Sequence, residues 1–153
     1  MKIEMTPIAY VKNERKEVID DQWGTIISEI ILAENIIEEA LDGIEAFSHL
    51  DIIFYMDKVS NEKAKAQYRH PRNNPDLPKT GTFAQRNKSR PNKIGLTTVE
   101  LLERNGRILK VSYLDAIDGT PVLDIKPVMK EFEPKGDIQE PTWTQVIMKN
   151  YWK

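Results

Sequence analysis

A chain of 153 residues with a net charge of −2 is long enough for one domain with a full hydrophobic core and too short for two. Its 40% hydrophobic and 30% charged residues are those of an ordinary globular domain, and no apolar run approaches the about 18 residues that a membrane-spanning helix needs. Cysteine is absent, which excludes disulfides, thiolate metal sites and cysteine nucleophiles; the two histidines, His49 and His70, are too few for a histidine-based centre, so no metal is expected.

The opening MKIEMTPIAY lacks the apolar core of a signal peptide, so a cytoplasmic location is expected. Ile3 to Val11 reads as a first strand, with Pro7 confining it to an edge or a bulge. Thr25 to Leu32 is short and isoleucine-rich, which suits a buried strand. Asn35 to Leu41 predicts a short helix, capped by Asn35, with Glu38 three residues on and Gly43 beyond its end. Leu50 to Met56 is an apolar, aromatic central strand. Asn105-Gly106 has the composition of a type I′ turn joining an arm over 94–104 to one over 107–115, and Leu109, Val111 and Tyr113 fall on one face of the return arm. Val122 to Ile125 adds a short strand, and Thr142 with Gln145 makes a weak capping box for a last short helix. Roughly six strands and two short helices give a mainly β, single-domain, closed or nearly closed barrel. The barrel is expected over residues 1–135, with a C-terminal tail or short helix over 136–153.

Between Lys58 and Ile94 the apolar periodicity fades and Pro71, Pro75, Pro78 and Pro91 break the chain into a long irregular excursion. The charge is concentrated there. Residues 1–57 carry 4 basic and 13 acidic side chains, residues 58–93 carry 10 and 2, and residues 94–153 carry 8 and 9. A basic block of this kind marks a polyanionic partner, or else pairs with the acidic N-terminal third.

The seven glycines are never two apart, so neither G-x-G-x-x-G nor a Walker A loop exists, and no serine lies in a G-x-S-x-G elbow. A non-Rossmann fold follows. Two stretches stand out instead. GTFAQRNKSRPNKIGLTTVELL runs from Gly81 to Leu102, and LDAIDGTPVLDIKP from Leu114 to Pro127. With PIAYVKN (Pro7 to Asn13), Gln22-Trp23-Gly24 and FSHLDIIF (Phe47 to Phe54), they resemble the TsaA-like family over about residues 6–128. Its best-characterised members are S-adenosylmethionine-dependent tRNA methyltransferases.

The resemblance implies a small β-barrel that works as a homodimer, with S-adenosylmethionine near the subunit interface. It implies methylation of N6 on the threonylcarbamoyl-modified adenosine beside the anticodon of threonine tRNA. The cofactor-contact positions it implies are Trp23, Gly24, Thr25, Asp57, Lys58, Arg90, Glu100, Asp118, Gly119, Thr120 and Pro121. Arg90 carries a guanidinium fork suited to a carboxylate or a phosphate, and the Asp118–Pro121 loop offers backbone groups to an adenine edge or a ribose. Trp23 suits either ring stacking or half-buried core packing. His49, Asp118 and Asp124 are the candidate proton acceptors, with His49 equally readable as a structural histidine. Where family members hold prolines, this chain has Lys88 and Lys93; where they hold an aromatic after Pro127, it has Val128. It is also expected to lack the C-terminal domain of longer members. Two other readings stand beside the first: an enzyme of the same fold methylating a different acceptor, and a non-catalytic RNA-binding barrel.

Overall fold

A computed structural model describes all residues, Met1 to Lys153. Six strands close an antiparallel barrel: β1 (Ala9–Lys12), β2 (Ile27–Leu32), β3 (His49–Tyr55), β6 (Ile94–Asn105), β7 (Ile108–Ser112) and β8 (Pro121–Pro127). Their order around the barrel is β1-β2-β7-β6-β3-β8, and β8 pairs back onto β1. Two short strands, β4 (Tyr68–Arg69) and β5 (Thr80–Gly81), form a separate ladder inside the excursion. The one α-helix, α1 (Trp143–Met148), lies near the C-terminus, and no helix is long and apolar enough to cross a membrane.

Strand alternation builds the core. β3 buries Leu50, Ile52 and Phe54, and β1, β2, β6 and β7 add Val11, Ile30, Val99, Leu109 and Val111, all at most 4% exposed. The mainly β, non-Rossmann barrel expected from the pattern is the observed fold.

Several local expectations need correction. β1 starts at Ala9 rather than Ile3; Ile3 and Met5 are exposed and make no ladder. The β6–β7 turn is one residue later than the Asn105-Gly106 pair suggests. Asn105 still pairs with Ile108, so Gly106 and Arg107 are the central residues. Only Gly106 of those two has positive φ (60°), the pattern of a type II′ rather than a type I′ turn. On the return arm Leu109 and Val111 face the core, but β7 ends at Ser112 because Tyr113 takes φ 64°, which turns its ring outward, 43% exposed.

The helix expected over 35–41 is replaced by two 3₁₀ turns, Glu38–Leu41 and Ile44–Ala46, and Asn35 does not cap them. Arg107 Nη2 donates to the carbonyls of Ala33 and Ile36 at 2.6 and 2.7 Å, and Arg104 Nη1 to that of Leu41 at 3.2 Å. These arginines tie the segment down at both ends without emptying its carbonyls, since Ala33 O also accepts the N–H of Ile36 at 3.0 Å. Nor does Thr142 close a capping box: its side chain makes no cap bond to α1.

Candidate active site

The strand register brings the sequence motifs to one mouth of the barrel. Tyr55 pairs with Ile94, so Asp57 and Lys58 leave β3 where the Arg90–Lys93 turn enters β6. Met56 N–H donates to Lys93 O at 2.8 Å and fixes that junction. Phe54 pairs with Val122 and Tyr10 with Pro121, which carries Asp118–Pro121 to the same end. Ile27 pairs with Ser112, so Trp23–Thr25 arrive there as well.

The Asp118–Pro121 loop is tied down from several sides. Gly119 N–H donates to Val11 O at 2.7 Å, Val11 N–H to Thr120 O at 3.0 Å, and Asp118 N–H to Arg15 O at 2.7 Å. Thr120 is buried, and its hydroxyl donates to Ile117 O. Gly119 has φ 82° and no heavy atom within 4 Å of where a Cβ would stand, which leaves bare backbone at the mouth. Lys16 Nζ, 2.8 Å away, and the N–H of Asn13 hold the Asp118 carboxyl below the usual carboxylate range, so it is ionised and a weak proton acceptor.

Arg90 donates through Nη1 to Gln85 O at 2.9 Å and to Asn87 O at 3.4 Å, while its other N–H groups make no hydrogen bond within the chain. Lys93, buried, donates to Asn61 Oδ1 at 2.8 Å with its ammonium 5.6 Å from the Tyr55 ring centre. The basic block therefore serves two ends. Arg72 makes a two-pronged bond to Asp21 at 2.8 and 3.1 Å, and Lys88 approaches Asp20 at 3.6 Å, so part of it neutralises the acidic N-terminal third. Lys63, Lys65 and Lys79 are exposed and have no carboxylate partner. Far from an unstructured loop, the excursion buries Pro71, Leu77, Thr82, Gln85 and Ser89.

Trp23 is buried under Arg15, whose guanidinium carbon lies 4.4 Å from the ring centre, and so acts as core rather than as an open stacking face. Thr25 is exposed beside it. Glu100 lies on the outer wall, where Ser112 Oγ reaches it at 3.4 Å. The three candidate proton acceptors are not brought together. His49 begins β3 at the opposite end of the barrel from Tyr55, exposed, with Ser48 Oγ 2.7 Å from Nδ1. Asp124 pairs with Lys126 at 2.8 Å and borders a mainly apolar cavity of about 450 Å³ beneath the Ile36–Phe47 segment. No group of His, Asp or Glu side chains is arranged to hold a metal ion.

Sequence reasoning missed two residues at the mouth. Asp115 accepts hydrogen bonds from Thr97 Oγ1 and from the hydroxyl of Tyr151, and no cation pairs with it. Tyr151 comes from the C-terminal tail, which folds back onto the Gln22–Gly24 turn. Gln22 N–H donates to Asn150 O at 3.0 Å and Trp23 N–H to Tyr151 O at 2.8 Å. A Cβ at Gly24 would stand 1.8 Å from Trp152 O, so the glycine makes room for the tail. The aromatic pair Tyr151-Trp152, ending a segment that also carries Trp143, Val146, Ile147 and Met148, was the available signal.

Burial, the Asp115 charge and the bond to it push the Tyr151 hydroxyl well above the usual tyrosine range. A raised pKa favours the neutral form in the fold. The stabilisation is therefore complete below about pH 10 and lost as pH rises above it. Tyr151→Phe is expected to lower thermal stability near neutrality and to remove that alkaline dependence, as melting curves from pH 8 to 11 will read.

A closed antiparallel barrel, with motifs far apart in the chain meeting at one mouth and no phosphate-binding glycine loop, defines a small non-Rossmann barrel scaffold. Comparison with known proteins gives it a family. The tRNA-methyltransferase O N-terminal domain matches residues 19–134, and the chain belongs to that family. It is 42% identical over 104 residues to the human tRNA (adenine(37)-N6)-methyltransferase, covering 68% of this chain and 23% of that protein. It is 34% identical over 140 residues to a probable S-adenosyl-L-methionine-binding protein of Methanothermobacter thermautotrophicus, covering 89% of this chain and 97% of that protein. The crystal structure of TrmO from Pseudomonas aeruginosa superposes with a TM-score of 0.71 at 28% identity, over 91% of this chain and 62% of that one. The chain thus spans about a quarter of the human relative's length.

Proposed function

We propose that this protein is an S-adenosylmethionine-dependent methyltransferase acting on N6 of the threonylcarbamoyl-modified adenosine 37 of threonine tRNA. The observation that carries the reading is the meeting of the family motifs at one mouth, within the matched residues 19–134. When bound, S-adenosylmethionine supplies an electrophilic methyl group.

The mouth fits such a ligand. Gly119 leaves backbone uncovered for an adenosine to approach, and the N–H groups of Arg90 without an acceptor in the chain suit the methionine carboxylate. Asp118, Thr120 and Pro121 frame that approach, with Asp57 and Lys58 following β3 into the same end, while Glu100, opposite His49 on the outer wall, stands apart from them. The chain's main task is to hold N6 in line with the methyl carbon, an orientation effect worth about 7–11 kcal/mol when geometry is good. The N6 proton has to leave as the new bond forms, and in this reading its acceptor is the carboxylate of Asp115, which takes hydrogen bonds from two hydroxyls and has no cationic partner.

A homodimer is part of the proposal. The outer wall exposes Ile27, Ile94, Leu96, Leu102 and Tyr113 around the exposed Thr98 and Glu100, a mixed face that a second copy would cover by twofold symmetry. The tRNA lies along the unpaired lysines of the excursion, and the reading entails a cytoplasmic site of action.

Incubation with labelled cofactor and total tRNA tests the proposal. The label is expected in an N6-methylated adenosine nucleoside, with a dimer seen by light scattering at tens of micromolar protein. Cofactor binding without label in tRNA would move the activity to another acceptor. Absence of any calorimetric heat at millimolar cofactor would leave only an RNA-binding barrel.

A further inference from the structure

Two aromatic rings stand out into solvent on the excursion. Tyr68 is 70% exposed and Phe83 is 76% exposed. Neither hangs on a loose segment. Tyr68 pairs with Gly81 across β4 and β5, Gln67 N–H donates to Thr82 Oγ1 at 2.7 Å, and Thr82 N–H returns to Gln67 O at 2.9 Å. Below them the buried Gln85 amide donates to Arg69 O at 3.1 Å and to Thr80 Oγ1 at 2.8 Å. The backbone that presents both rings is therefore fixed before anything binds.

Each ring carries its own cation. Lys79 Nζ lies 5.9 Å from the Tyr68 ring centre, and the Arg90 guanidinium carbon lies 6.0 Å from that of Phe83. Exposed rings beside cations suit a flat π-system that carries negative charge close by, which is what an unpaired nucleotide offers. An apolar protein surface would instead have to strip water from both cations.

We infer that Tyr68 and Phe83 form a stacking platform for unpaired nucleobases of a single-stranded RNA loop. Lys79 sits where a flanking phosphate would lie. Arg90, beside Phe83, ties the platform to the mouth, so a base seated on Phe83 is held next to the reacting end. The inference rests on the tRNA reading above and adds which part of the RNA is gripped: splayed loop bases rather than duplex.

The test compares wild type, Tyr68→Ala, Phe83→Ala, Tyr68→Phe and Phe83→Tyr. Affinity is measured for a tRNA transcript, for a short single-stranded RNA of anticodon-loop sequence and for a duplex of equal length, with calorimetry for cofactor and light scattering for assembly. Each alanine variant is expected to lose about tenfold in single-stranded affinity, with the salt slope unchanged because no phosphate contact is removed. The aromatic replacements are expected to keep wild-type affinity, and duplex binding to change little. Alanine variants that bind tRNA as tightly as wild type overturn the platform while the tRNA reading stands. Loss of cofactor affinity or of the dimer in Phe83→Ala, with RNA affinity intact, assigns that ring to the pocket or to the subunit contact and overturns it too. If wild type binds no RNA at all, the tRNA reading falls and takes the platform with it.

Discussion

Gly95→Ala is expected to be among the most damaging single changes in the chain, although it adds one methyl group. A Cβ at Gly95 would stand 2.4 Å from two ring carbons of Phe54, the residue directly opposite on β3. Phe54 is 4% exposed, so its ring has little room to retreat. Overpacking of this kind costs about 1–3 kcal/mol or more, and the clash lies at the junction that joins β3 to the Arg90 turn. Chemical denaturation is expected to show a lowered midpoint with loss of cofactor binding. Phe54→Leu in the Gly95→Ala background relieves the overlap and is expected to restore part of that stability. An unchanged midpoint in Gly95→Ala would mean that the ring is free to move and that the glycine has another role.

Replacing Lys63, Lys65 and Lys79 together by alanine is expected to weaken tRNA binding steeply while leaving the melting temperature near that of wild type. These ammonium groups have no carboxylate partner, so the fold loses little when they go. Phosphate contacts release counterions, and three lost contacts lower the salt slope of binding by about 2–3. Arg72→Ala is expected to behave in the opposite way. Its guanidinium holds Asp21 with two bonds and lies 6.0 Å from the Tyr151 ring centre, so its loss loosens the tail and lowers stability. Its pKa is raised, chiefly by the hydrogen bond to Asp21, as expected for a charge engaged within the fold. Equal loss of tRNA affinity in the two variants would erase the division of the basic block into a structural and a binding part.

The barrel was legible because its strands alternate: Leu50, Ile52 and Phe54 face one way, and so do Leu109 and Val111. The motif order was legible too, and the register explains why segments far apart in the chain reach one mouth. What could not be read locally depends on distant partners. The helix expected over 35–41 has a reasonable cap and pattern, but Arg104 and Arg107, more than sixty residues away, bond carbonyls at both ends of the segment, which forms 3₁₀ turns. Tyr113 continues the alternation in sequence and breaks it in space, because a positive φ ends the strand. The excursion's shape rests on Gln85, Lys93 and the Asp20–Lys88 and Asp21–Arg72 pairs, none of which leaves a periodic trace. The tail offered little warning of its position. Tyr151 and Trp152 follow an exposed linker beyond the matched residues, yet they close the site against Asp115 and Gly24.

The most direct measurement uses two preparations of threonine tRNA, with and without the threonylcarbamoyl group on adenosine 37. Each is incubated with enzyme and cofactor, digested and analysed by mass spectrometry. The account predicts a gain of one methyl group on N6 of the threonylcarbamoylated nucleoside, and little transfer to the unmodified tRNA. Equal methylation of both, or a methyl group found at any other position, would contradict it.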